Sequence, residues 1–105
     1  LFHIGINSRN KEEAQDTAEI FSRLFLMKAT ETDDSYFAGK IAEIMKGPFL
    51  GTNGHIGIAV NNFNRAVIFM KKLGIEFLDE GYIEGSVAYL RTEIAGYAVH
   101  IKQKY

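Results

Sequence analysis

His3-Ile4-Gly5-Ile6 and His55-Ile56-Gly57-Ile58 decide the fold, because they are one tetrapeptide written twice. The copies begin at positions 3 and 55, an offset of 52 in a chain of 105 residues. After each copy comes a helix-like stretch and then several strand-like stretches. Each half closes on a strand with an ionisable side chain, Glu43 in Ile41-Ala42-Glu43-Ile44-Met45 and His100 in Ala98-Val99-His100-Ile101. A repeat of this period marks one supersecondary unit used twice. It also sets all 3 histidines of the chain and one glutamate at matching places of two modules, a candidate metal site.

Outward from the first copy, Phe2 to Asn7 alternates Phe2, Ile4 and Ile6 against His3, Gly5 and Asn7, the pattern of a strand with one apolar face. Asn10 precedes Glu13 at capping-box spacing, and Ala14, Ala18, Phe21 and Phe25 form the stripe of an amphipathic helix ending near Phe25. Met27 to Thr32, Ser35 to Ala38 and Ile41 to Lys46 read as strands, with Asp33-Asp34 and Gly39-Lys40 as turns. Module one is therefore βαβββ over about 1–47. Residues 48–53, inside the glycine-rich run Gly47 to Gly54 that holds the single proline, are the linker. Module two spans about 54–105. His55 to Asn61 is a strand, Asn62 caps a helix carrying Phe63, Ala66, Val67, Met70 and Leu73, and Gly74 suits its C′ position. Ile75 to Leu78, Val87 to Thr92 and Tyr97 to Gln103 are expected as three more strands. The fold class is α+β, with two tandem βαβββ modules forming a cup-shaped mixed sheet and two helices outside.

Composition bounds the function. At 47% hydrophobic and 24% charged residues, the chain has the make-up of a globular domain. Net charge is −1 with scattered basic residues, so no nucleic-acid face is expected. There is no cysteine, which excludes disulfides and thiolate chemistry. No apolar run approaches the roughly 18 residues of a membrane span, no membrane association is expected, and a cytoplasmic location is the default. The Gly47–Gly54 run lacks the lysine and hydroxyl residue of a phosphate loop and leads into a strand rather than a helix. The glutamates Glu80 and Glu84 decorate a loop without the ligand spacing of a calcium site.

Alternation along each first strand turns the isoleucines and Val60 toward the helix and His3 and His55 toward the concave face. Glu43 and His100 on the last strands can meet them there. Imidazole and carboxylate suit Zn, Fe, Mn, Ni or Co as a divalent ion, and the donor types do not choose among these. The set His3, Glu43, His55 and His100 carries one negative charge, which leaves a divalent centre net positive. Arg91, Tyr36, Tyr89 and Lys102 are candidates to line the cup and hold an anionic ligand, Arg91 foremost because guanidinium matches carboxylate geometry.

These residues resemble the vicinal oxygen chelate superfamily, which includes glyoxalase I, extradiol dioxygenases, methylmalonyl-CoA epimerase and fosfomycin-resistance proteins. The resemblance rests on the two His-Ile-Gly-Ile copies, Ala42-Glu43-Ile44-Met45, Arg65-Ala66-Val67-Ile68-Phe69 with Leu73-Gly74, and Gly96-Tyr97-Ala98-Val99-His100-Ile101. It implies metal ligands at His3, Glu43, His55 and His100. The family commonly has glutamate where this chain has His100, so Glu43 alone remains as ligand and base. The runs Phe2 to Asn7, Tyr36 to Lys40, Glu43 to Lys46, Gly51 to Ile56 and Gly96 to His100 also look like the C-terminal extension of some bacterial keto-hydroxyglutarate/keto-deoxy-phosphogluconate aldolases. That resemblance implies a covalently linked upstream domain, consistent with a start at Leu1 rather than Met, and an accessory role in a lyase. The alternatives are a stand-alone metal-dependent lyase, isomerase or dioxygenase acting on a small oxyacid or ketoacid, and an antibiotic-resistance protein. A homodimer is expected, because each half alone buries too little.

Overall fold

The computed structural model describes residues 2–105. In chain order the elements are β1 (His3–Ile6), α1 (Lys11–Phe25), β2 (Ala29–Glu31), β3 (Ser35–Ala38), β4 (Ala42–Met45), β5 (Gly54–Val60), α2 (Phe63–Lys72), β6 (Val87–Tyr89) and β7 (Tyr97–Gln103). The seven strands form one mixed sheet in the order β2-β3-β4-β1-β5-β7-β6.

The seam between the modules is the antiparallel pair β1/β5, centred on Ile4 opposite Ile56. On one side β4 runs parallel to β1, with Gly5 opposite Glu43. On the other β7 runs parallel to β5, with Gly57 opposite His100. Outside these, Phe37 of β3 faces Glu43 and Tyr89 of β6 faces His100. The two halves are thus related by a pseudo-twofold axis at the seam, on which His3 matches His55, Glu43 matches His100 and Phe37 matches Tyr89. The modules pair within one chain.

Local chemistry explains both helices. The Asn10 side chain accepts the Glu13 N–H at 2.8 Å, and Asn62 accepts the Arg65 N–H at 3.1 Å, so each helix starts on an asparagine cap. Gly74, at φ 86°, takes the left-handed C′ place after α2, and the following Ile75 N–H returns to the Met70 carbonyl at 3.1 Å. Each helix covers its own module. Ala14 and Ala18 of α1 pack on Tyr36, Ala38, Ala42 and Ile44. Phe63 and Val67 of α2 pack on Ala88 and Ile101. The two cores are separate, and the molecule is accordingly long, 43 × 26 × 23 Å.

Three expectations change. Ile75 to Leu78 is not a strand: Phe77 alone bridges Leu90, flanked by the Leu78 N–H to Tyr89 carbonyl and Arg91 N–H to Glu76 carbonyl bonds. The Gly74 turn delivers the chain to the sheet late and the Asp79–Gly85 loop takes it away at once. Phe25, expected in the core stripe, is 61% exposed, because the last turn of α1 runs past the exposed edge strand β2. Ile4 and Ile58 do turn to the helix side, but they lie over the seam between the helices and stay part-exposed, at 38% and 36%. No helix among the described residues is long and apolar enough to cross a membrane.

Candidate metal centre

Strands β4 and β7 stand three strand spacings apart, about 14 Å for a flat sheet. Yet the Glu43 carboxylate from β4 and the His100 imidazole from β7 both reach His3 of β1. The face opposite the helices is therefore concave, and it gathers all four candidate ligands. His3 Nε2 lies 2.9 Å from His55 Nε2 and 3.4 Å from His100 Nε2. Glu43 Oε1 lies 3.2 Å from His55 Nε2 and 3.4 Å from His3 Nε2. Ligand atoms of the three histidines all fall within 4.8 Å of one another. Module one supplies His3 and Glu43, and module two supplies His55 and His100.

The fit of a metal ion can be tested on these distances. Four donors held tetrahedrally at bonds of about 2.0–2.2 Å stand ~3.4 Å from each other. Four of the six donor pairs, at 2.9 to 3.4 Å, have the spacing of such a shell; the three histidine atoms as a set lie within 4.8 Å, and Glu43 and His100, which make no direct contact, must close inward to complete it. The donor chemistry agrees. Burial pushes the His100 pKa down to about 4, helped by the nearby His3 and His55 rings. Burial also lowers the His3 pKa, against the opposing pull of Glu43. Burial works to raise the Glu43 pKa, but hydrogen bonds from His55 and Ser35 outweigh it and hold the carboxyl below its ordinary value. Neutral imidazoles beside an ionised carboxylate are the forms that bind a divalent ion. The residues present fit a metal.

Two glycines make the site sterically feasible. A Cβ on Gly5 would stand 1.9 Å from the His55 ring, and one on Gly57 would stand 2.8 Å from His100 Nε2. Each imidazole thus lies over the neighbouring strand's glycine. Ser35, fully buried at the start of β3, donates its hydroxyl to Glu43 Oε2 at 2.9 Å and fixes the carboxylate. Aromatic rings enclose the histidines: Phe2 on His3 at 4.8 Å between centroids, Phe49 on His55 at 5.4 Å and Tyr89 on His100 at 4.7 Å. Phe37 meets His3 edge-on at 6.2 Å.

The expected cup residues divide. Tyr89 is beside the cluster, with its hydroxyl pKa pushed up to about 12, mainly by burial. Lys102 shares the His100 face of β7 but gives its Nζ to Ser86 Oγ at 2.9 Å. Tyr36 lies on the opposite face, packed in the α1 core, because Ser35 and Phe37 take the cup side of β3. Arg91 stands beyond the end of β6, paired with Glu76 at 3.5 Å and donating to the Phe77 carbonyl at 3.3 Å. Gly5, Gly57 and Ser35 belong to the site and were not singled out from the sequence. For the glycines a signal existed, since both lie inside the repeated tetrapeptide.

Among known proteins, no family model matches the chain. No curated protein matches it either. A solved structure of a genomically encoded fosfomycin resistance protein, FosX, from Listeria monocytogenes is similar over 100% of this chain and 90% of its own, with 17% identity and a TM-score of 0.39. At that level the likeness transfers no residue and no reaction.

Proposed function

We propose that this domain is a divalent-metal centre for a small oxyacid or ketoacid, held by His3, Glu43, His55 and His100. The observation that carries the proposal is the convergence of three imidazole nitrogens within 4.8 Å of one another, with a carboxylate oxygen at 3.2 and 3.4 Å from two of them. The bound ion would supply Lewis acidity toward two adjacent ligand oxygens. The protein's own part is to hold and to exclude. Ser35 keeps one Glu43 oxygen occupied, so Oε1 is the oxygen aimed at the histidines. Glu43 is also the part-exposed member of the set, at 18% of its side chain, and so is the group placed to take a proton from a ligand in the cup. The rings of Phe2, Phe37, Phe49 and Tyr89 keep water off the imidazoles.

The test is elemental analysis of the purified domain beside a His3→Ala/His55→Ala double variant. Stoichiometric metal lost in the variant supports the centre. No metal after anaerobic reconstitution with iron, manganese, zinc, cobalt and nickel refutes it. The reading of this domain as an appended module of a keto-hydroxyglutarate/keto-deoxy-phosphogluconate aldolase rests on sequence resemblance alone, and the geometry of the centre adds nothing to it. Sequencing the gene upstream of Leu1 tests it, with a barrel-coding region as the expected result. Homodimerisation remains part of the proposal and is read by sedimentation.

A further inference from the structure

Beside the cluster lies a cleft of about 510 Å³ lined by Pro48, Phe49, Leu50, Glu80, Gly81 and Tyr89. It adjoins the centre directly, because Phe49 packs on His55 and Tyr89 on His100. Its size is that of a small-ligand site. Its walls are apolar and aromatic, with Phe49 and Leu50 left 43% and 40% exposed. The single charged side chain in its lining is a carboxylate, Glu80, and no lysine or arginine lines it. Nearby cations are engaged elsewhere. Lys46 Nζ sits 2.7 Å from both Glu31 Oε2 and the Thr32 carbonyl, Lys102 is on Ser86, and Arg91 is on Glu76.

We propose that the ligand of this centre joins a two-oxygen chelating head to an apolar body of about the size of one aromatic ring, with no second anionic group. The inference rests on the metal-centre reading above and narrows it. An anionic tail entering this cleft would lose its water without gaining a counter-charge, and would face the Glu80 carboxylate. A flat apolar body would cover Phe49, Leu50 and Tyr89 instead. On this proposal phosphorylated sugar acids and dicarboxylates bind poorly, and Arg91 does not hold the ligand.

Three probes with one chelating head and different tails decide the matter: acetohydroxamate, benzohydroxamate and 4-carboxybenzohydroxamate. Each is titrated into the cobalt-loaded protein and followed by the visible cobalt spectrum. The expected order is benzohydroxamate at least tenfold tighter than acetohydroxamate, with the carboxylated probe at least tenfold weaker than benzohydroxamate. In Leu50→Ala, which trims the cleft wall at a residue that touches none of the four ligands, the benzo-to-aceto ratio falls toward that measured with free cobalt, while cobalt uptake itself is retained. Equal binding of the first two, or tightest binding of the carboxylated probe, overturns the inference and leaves the metal centre standing. Failure to take up cobalt at all overturns both.

Discussion

Gly5→Ala is the sharpest perturbation of the centre, because it adds one methyl group to a strand and alters no proposed ligand. Gly5 lies in β1 opposite Glu43 on one side and His55 on the other, with no positive φ to forbid alanine. The new Cβ would stand 1.9 Å from Cε1 and Nδ1 of His55 and 2.5 Å from Nε2. Ordinary contact begins near 3.4 Å, so the ring must retreat by about 1.5 Å. His55 is 1% exposed and Phe49 packs on it, so the ring takes Nε2 with it as it moves. Metal–ligand distances tolerate only about 0.2 Å. A displacement several times that removes His55 from the shell. Loss of an outer-shell partner already costs about 10–100-fold in metal affinity, so loss of a ligand is expected to exceed 100-fold. The overpacking itself costs the metal-free protein about 1–3 kcal/mol. The assay is a chelator-competition titration with zinc and cobalt, paired with urea unfolding of the metal-free variant. Gly57→Ala, with its nearest contact at 2.8 Å, is expected to weaken binding less, and Gly47→Ala, with nothing within 4 Å, not at all. Wild-type metal affinity in a folded Gly5→Ala protein would refute the role of His55 as a ligand.

Ser35→Ala strips Glu43 Oε2 of its hydroxyl donor and is expected to weaken metal binding about tenfold, measured by the same competition titration; unchanged affinity would show that the carboxylate needs no orienting partner. The metal-free protein should lose stability on acidification. His100 falls from 6.5 to about 4 on folding, so between those values the unfolded chain binds the proton that the folded chain refuses, at a cost of roughly 3 kcal/mol over the interval. His3, lowered by burial, acts with the same sign, and urea midpoints in the presence of chelator that stay level from pH 7 to pH 4 would contradict this. Asn10→Ala removes the α1 cap and should cost about 1 kcal/mol, or roughly 4–8 °C in Tm by calorimetry, without touching metal uptake.

The two helices and the mixed sheet were legible because their signals are local: the His-Ile-Gly-Ile strands, the asparagine caps of both helices and the C′ glycine of α2 each have a local physical cause. Face assignment within β1, β5 and β7 was legible for the same reason, since a period of two needs only one anchor. What escaped was set by pairing between distant strands. Whether Tyr36 or its neighbours Ser35 and Phe37 face the cup depends on which residue of β3 lies opposite Glu43, and nothing in Ser35-Tyr36-Phe37-Ala38 fixes that register. Arg91 looked right by its chemistry, but it falls beyond β6, where Glu76 and the Phe77 carbonyl hold it. The irregular Ile75–Leu78 segment shows the same limit: its composition suits a strand, while the chain path on either side leaves room for one bridged pair.

The separation of the two hydrophobic cores has a thermodynamic consequence. Each half carries its own buried cluster, and the halves meet along β1/β5 and through the four side chains gathered over that seam. Since each half contributes two of the four proposed donors, neither completes the shell alone. The ion then acts as a clasp that makes unfolding of one half contingent on the other. Loaded protein should melt as one cooperative unit, and stripped protein as two foldons of different stability, so the shape of the melting curve, apart from its midpoint, reports occupancy.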